Sequence, residues 1–261
     1  MVKQNVGDIL KRLESVIKQI LALFGIAIHR IHPEEIEFPP EATAFQRNLI
    51  SRASNYSMTG VSRMWALTQA FEYIHGKGIL GDFVECGVWK GGNLILLSAL
   101  QNEKGGNRTI YGFDTFLGMP EPAEVDRNYL GQSARDIMAS TEKIDGDHSI
   151  HAYASLQLVN QNLIENDTKN IRLVQGDVSE TLLDKNNLPE KISILRLDTD
   201  WYESTKIELE ILYPLLEPGG VLIVDDYGHF EGAKKAVDEY FCDSKPWMQY
   251  VDYSCRLIIK N

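Results

Sequence analysis

The sequence predicts an α/β fold: a doubly wound, mostly parallel sheet with helices on both faces. Three observations lead there. From about residue 81 onward, short apolar runs of strand length alternate with helical patterns, and strand–helix–strand alternation needs crossovers that make neighbouring strands parallel. Each of the five runs that read as parallel strands ends in a carboxylate, in "VECGVWKGG", "GFDTF", "QGD", "LDTD" and "VDDYG". Glycine and proline clusters punctuate the series at the places where strands and helices should stop.

Taken in order, residues 2–24 carry Val6, Ile9, Leu13, Val16, Ile20 and Leu23 at steps of three and four, the pattern of an amphipathic helix. Its three heptads suit pairing with a partner chain or packing on its own domain. "IHPEEIEFPPE" (31–41) reads as a linker, because Pro33, Pro39 and Pro40 break helices and the acids keep it solvated. The chain therefore divides into an N-terminal helix and linker over residues 1–40 and a larger domain over 41–261. A helix runs from about Met58 to Gly76 and Gly78, followed by strand 81–88, helix 91–102, strand 108–116, helix 154–166 and strand 170–177. Then come strand 192–200, helix 204–220 with a Pro-Gly-Gly stop, strand 221–228, a helix from Gly232, and a tail suited to two further strands, one an antiparallel edge strand. Between about 117 and 151 the periodicity fails, and an insertion of that length reads as a lid over the sheet's carboxyl edge.

Lys and Arg total 26 against 37 Asp and Glu, a formal charge of −11. That balance argues against a nucleic-acid backbone as partner. Cys86, Cys242 and Cys255 are too few and too scattered for a disulfide framework or a zinc site, which suits a reducing, cytoplasmic setting. The N-terminus lacks a secretory signal and no apolar run has the length of a membrane span.

In an open parallel sheet the ligand sits beyond the carboxyl ends of the strands. Gly87, Gly91 and Gly92 let the backbone turn sharply from strand to helix, yet the spacing fits neither GxGxxG nor a Walker loop. Asp114 can accept both hydroxyls of a ribose and Asp177 an adenine amino group, while Glu85 offers a negative group to a cationic centre or amine. A ligand with ribose, adenine and an amine but no required phosphate is S-adenosylmethionine. The remaining acids, Asp198, Asp200, Asp225 and Asp226, have no evident basic partner in the sequence, and hard oxygen donors of that kind suit Mg²⁺. His229 is an alternative base with a more convenient pKa. Trp201 and Tyr202 could stack on a sugar ring or pack in the core, and His148 and His151 read as polar surface of the insertion.

"FVECGVWKGG", "YGFDTFLGMPEP", "VQGDVSETL", "LRLDTDWYEST" and "PGGVLIVDDYG" together resemble the successive motifs of the macrocin O-methyltransferase (TylF-like) family. The resemblance spans roughly residues 45–250. It implies a class I methyltransferase sheet of Rossmann-like form, Mg²⁺-dependent methyl transfer from S-adenosylmethionine to a sugar hydroxyl of a glycosylated natural product or glycan, and a homo-oligomer. The N-terminal helix is a candidate for that assembly. By position, the resemblance makes Asp198, Asp225 and Asp226 metal ligands and Asp200 the general base. Glu85, Gly87, Asp114 and Asp177 match cofactor positions, and "YSMTG" adds Met58 and Thr59. Other readings stay open on the residues alone: a methyltransferase for another vicinal diol such as a catechol, a metal-dependent hydrolase, or a non-catalytic nucleoside-binding protein.

Overall fold

The computed structural model describes residues 38–261; the amphipathic stretch 2–24 and most of the linker lie outside the described residues. The first described helix, α1 (Ala44–Ala53), is opened by a capping box in which Thr43 and Gln46 satisfy each other's backbone N–H groups. Its T-x-x-Q signature stands in the sequence, although the sequence reading placed no helix there. A single 3₁₀ turn leads to α2 (Val61–Lys77), which stops where Gly78 takes the left-handed conformation.

The alternation then runs β1 (Asp82–Cys86), α3 (Gly92–Glu103), β2 (Ile110–Asp114), α4 (Ala134–Ala139), α5 (Leu156–Glu165), β3 (Ile171–Gln175) and α6 (Val178–Thr181). It continues with β4 (Ile192–Leu197), α7 (Tyr202–Leu212), β5 (Leu216–Val224), α8 (Glu231–Tyr240), β6 (Gln249–Tyr250) and β7 (Arg256–Ile259). The strands form one sheet in the order β3-β2-β1-β4-β5-β7-β6. β1 to β5 are mutually parallel, and β7 runs antiparallel to both β5 and β6. The antiparallel strand is thus one place in from the edge, and two-residue β6 holds the edge itself. The short link 251–255 lets the chain reverse after β6 so that β7 lies between β5 and β6.

β4 is buried along its whole length and β1 nearly so, because helices cover both faces. On one face Val84, Leu195, Leu197 and Leu222 meet Leu209 and Leu212 of α7 and Val237 of α8. The alternate residues face the other layer, where Phe71 of α2 packs edge-on against Phe83. β5 begins five residues earlier than the apolar run 221–228 suggests: the "EPGG" that reads as a helix stop lies within the strand, and the register shifts between Ile192 and Ile194 opposite it. The insertion is also more ordered than its composition suggests. Ser133 caps α4, and Asp126 holds the insertion to the domain by accepting from Tyr202 N–H at 2.9 Å and Ala123 N–H at 2.7 Å. Strand order reverses between β1 and β4, which opens a crevice at their carboxyl ends.

Candidate active site

That crevice is a cavity of about 480 Å³, a volume typical of small-molecule sites. Six aspartates line it, namely Asp114, Asp177, Asp198, Asp200, Asp225 and Asp226, and Arg63 is the single Lys or Arg among the lining residues. Such a lining suits a ligand that carries positive charge.

The cofactor side is built by the β1 turn. Gly87 has φ of 85°, and a Cβ there would stand 1.9 Å from the Asp198 carbonyl oxygen. Only glycine fits, so the two strand ends approach at backbone distance. Asp114 accepts from Val88 N–H at 2.8 Å, Trp89 N–H at 3.0 Å and Phe116 N–H at 2.7 Å. Those bonds fix the β1 turn against the end of β2, and burial still raises the Asp114 pKa. Asp177 caps α6 by accepting from Ser179 N–H at 2.8 Å. Met58, Thr59, Gly87, Asp114 and Asp177 all line the cavity, whereas Glu85 and Gly91 do not. Glu85 lies beneath it, 1% exposed, and Gly91 serves α3 as a left-handed N-cap packed on Leu163.

Beneath the opposite side runs an ion network. Arg196 on β4 is buried and donates through Nη1 to Glu85 Oε1 and Asp198 Oδ2, both at 2.7 Å. Its Nη2 donates to Asp225 Oδ1 at 2.6 Å and Thr59 Oγ1 at 2.9 Å. Arg63 of α2 pairs with Asp225 Oδ2 and, at 2.7 Å, with Asp252 Oδ2. The acids therefore do have basic partners, contrary to the sequence reading: one guanidinium sits two residues before Asp198 in the strand, the other comes from a distant helix. Burial raises the Glu85 carboxyl to about 7, against the opposing pull of Arg196.

The two arginines do not serve all the acids. Asp198, Asp200 and Asp226 bring carboxylate oxygens within 4.8 Å of one another. Asp226 Oδ2 is buried without a hydrogen-bond donor. Asp200 adopts the left-handed conformation with φ of 64°, uncommon for a non-glycine residue, and its carboxylate lies close to that of Asp226. Burial raises Asp200 to about 7, and burial with repulsion from Asp200 and Asp225 raises Asp226 well above the carboxylate range. Like charges so placed, with an orphaned oxygen, fit a hard divalent cation. The trio that converges is Asp198, Asp200 and Asp226. Asp225, grouped by the sequence reading with the metal ligands, has both oxygens engaged by arginines.

Below the trio, Glu208 of α7 accepts from Thr199 Oγ1–H at 2.9 Å, while Ser204 donates to the Thr199 carbonyl at 3.2 Å. Neither contact was legible, because α7 turns back under its own strand end. Trp201 is a core residue: it packs edge-on against Phe230 at 5.0 Å and donates to the Pro120 carbonyl at 3.0 Å. Tyr202 donates to Glu239 Oε2 at 2.7 Å on α8. His229 lines the cavity with Nδ1 3.0 Å from the Tyr253 hydroxyl, and burial lowers its pKa. His148, expected at the surface, also lines the cavity, 5.9 Å from the Trp89 ring.

Residues 29–255 match the family model described as macrocin-O-methyltransferase (TylF). A demethyldecarbamoylnovobiocin O-methyltransferase of Streptomyces niveus is 33% identical over 197 residues, which cover 72% of this chain and 68% of that protein. An 8-demethyl-8-(2,3-dimethoxy-alpha-L-rhamnosyl)-tetracenomycin-C 4'-O-methyltransferase of Streptomyces olivaceus is 30% identical, covering 71% and 67%. Among solved structures, the O-methyltransferase NovP superposes with a TM-score of 0.68 at 30% identity, covering 79% of this chain and 82% of its own. The calicheamicin methyltransferase CalS11 shares the fold with a TM-score of 0.60 at 18% identity, covering 90% and 98%. The sheet is that of the class I methyltransferases, and the chain belongs to the TylF macrocin-O-methyltransferase family.

Proposed function

We propose that this O-methyltransferase transfers the methyl group of S-adenosylmethionine to a hydroxyl of a sugar and requires Mg²⁺ to do so. The observation that carries the reading is the convergence of Asp198, Asp200 and Asp226 on the cavity, with an orphaned Asp226 oxygen and both nearby arginines already engaged. Relatives named for methylating sugar-bearing natural products support the choice of acceptor.

Asp114 and Asp177 would hold the nucleoside, with Gly87 giving it room against the β1 turn and Met58 and Thr59 facing its amino-acid end. Asp198 and Asp226 would hold the cation. Bound there, Mg²⁺ would offset the carboxylates' repulsion and lower the pKa of an acceptor hydroxyl. Asp225 keeps Arg63 and Arg196 in place.

Asp200 is the proton acceptor. Its raised pKa makes it a stronger base than an ordinary carboxylate, closer to what general-base work near neutrality needs. The acceptor oxygen bonds to the methyl carbon as the carbon–sulfur bond breaks, its electron pair going to sulfur. The hydroxyl proton goes to Asp200, and the products are a methyl ether and S-adenosylhomocysteine. His229 lies on the same wall with one ring nitrogen taken by Tyr253, which makes it the second choice as base.

A thermal-shift assay with S-adenosylmethionine and with ATP tests the cofactor: stabilisation by the first alone is expected. Chelation by EDTA should abolish turnover on a panel of glycosides, and Mg²⁺ should restore it. Asp198→Asn should lose that Mg²⁺-stimulated turnover while binding S-adenosylmethionine as the wild type does; unchanged turnover would overturn the reading.

A further inference from the structure

Three aromatic side chains from three separate segments meet at the mouth of the cavity. Tyr129 comes from the insertion, His229 follows β5, and Tyr253 sits in the loop between β6 and β7. The Tyr129 ring lies 5.4 Å from His229 and 5.8 Å from Tyr253, centroid to centroid. His229 stands edge-on upon buried Phe230 at 4.5 Å, so the group has a firm base. Tyr129 is 58% exposed and Tyr253 53% exposed. His229 and Tyr253 line the same cavity as Asp200 and Asp226.

The backbone holds this cluster in place. Asn128 pairs with Phe230 in an isolated antiparallel bridge, which joins the insertion to the segment carrying His229. The Asn128 carboxamide accepts from the Leu130 and Gln132 N–H groups, both at 3.0 Å, and so fixes the turn that presents Tyr129. The Arg63 guanidinium stands over the Tyr253 ring, 5.8 Å from its centre, yet both tyrosines stay more than half exposed, and exposed rings held this firmly beside a reaction cavity are better explained by a ligand than by packing.

We propose that Tyr129, His229 and Tyr253 form an aromatic ledge that takes the apolar C–H face of an uncharged acceptor sugar, the ring whose hydroxyl Asp200 deprotonates. The assignment rests on the methyltransferase reading and adds to it the residues that hold the acceptor. A pyranose offers C–H groups on one face and hydroxyls around its edge. Laid on the ledge, it would turn that edge toward the aspartates, while His229 Nε2 can meet a neighbouring hydroxyl. The aspartate-rich lining repels a ring bearing carboxylate or phosphate. Arg63, the one lining guanidinium, is committed to Asp225 and Asp252.

Saturation-transfer NMR on the full chain with S-adenosylhomocysteine and Mg²⁺ tests the ledge, using methyl α-L-rhamnopyranoside and methyl β-D-glucuronide as probes. Transfer to the ring C–H protons of the neutral sugar is expected, with little to the uronate. Tyr129→Ala and Tyr253→Ala should each reduce that transfer at least fivefold, whereas Tyr129→Phe should keep it. Both alanine variants should retain the thermal shift given by S-adenosylmethionine, which separates the ledge from cofactor binding and from misfolding. Equal transfer in wild type and alanine variants overturns the proposal, as does absence of transfer to the wild type or preference for the uronate. Failure of S-adenosylmethionine to bind the wild type would instead overturn the methyltransferase reading.

Discussion

Arg196 Nη2 stands 2.6 Å from Asp225 Oδ1, with both side chains almost wholly withdrawn from solvent. The same guanidinium touches Glu85 and Asp198, so removing it would strand those two carboxylates in or beside the core and leave Asp225 with Arg63 alone. Breaking a buried ion pair from one side costs about 3–5 kcal/mol. Arg196→Met should therefore lower the unfolding free energy by that order in urea melts. A loss below about 1 kcal/mol would mean the acids are neutralised by other means.

The pH dependence of the cation site follows from Asp200 and Asp226. Burial raises Asp200 to about 7 in the fold, against about 4 for an unfolded aspartate. The folded state then binds more protons than the unfolded one between those values. The part of the metal-free protein's stability that comes from Asp200 should fall as pH rises from about 4 to 7 and level off beyond. Mg²⁺ must displace those protons, so its stabilising effect should grow over the same window. Melting temperatures with EDTA and with Mg²⁺ from pH 5 to 8 check this: the gap should widen toward pH 7 and shrink in Asp200→Asn. A gap independent of pH would count against a cation on these carboxylates.

Glu208 offers a test of support from below. Its Oε1 accepts from Thr199, between the two critical aspartates, and burial raises its pKa well above the ordinary carboxylate value. Glu208→Gln keeps an acceptor oxygen and should leave Mg²⁺ affinity near the wild-type value. Glu208→Leu removes it and should weaken Mg²⁺ binding about 10–100-fold, the usual effect of losing a ligand's supporting partner. Isothermal titration of the two variants distinguishes them, and equal affinities would show that Thr199 needs no such support.

Gly87→Ala should be severe for a different reason. The added methyl would collide with the Asp198 carbonyl, and alanine is strained at φ of 85°. The strand ends must separate, so both S-adenosylmethionine and Mg²⁺ should bind at least tenfold more weakly, as read by thermal shift. A variant with both affinities intact would mean that the turn yields elsewhere.

The acids were legible in the sequence because an apolar strand ending in charge is conspicuous: Asp198, Asp200, Asp225 and Asp226 announce themselves. Their partners were not. Arg196 occupies a position in the strand where a buried apolar residue would serve, and nothing local says that its guanidinium meets Glu85 across the sheet. Arg63 lies on α2, far away in the chain, and only the packing of that helix brings it to Asp225. For the same reason Asp225 reads as the equal of Asp226, although neighbours on one strand end point into different surroundings. The sheet was readable from periodicity, while "EPGG" misled because its Pro and Gly chemistry is the same in a helix stop and an irregular strand start.

Arg196 also bears on how the chain finds its alignment. Glu85 on β1 lies directly opposite Arg196 on β4, and Arg196 opposite Ile223 on β5, two residues before Asp225. A slip of β4 by one residue would replace the guanidinium with Leu195 or Leu197, leaving Glu85 facing hydrocarbon and Asp225 with Arg63 alone. The arginine thus acts as a key for strand register: the sheet closes comfortably in one alignment, and in that alignment the cofactor turn and the aspartate trio are already matched.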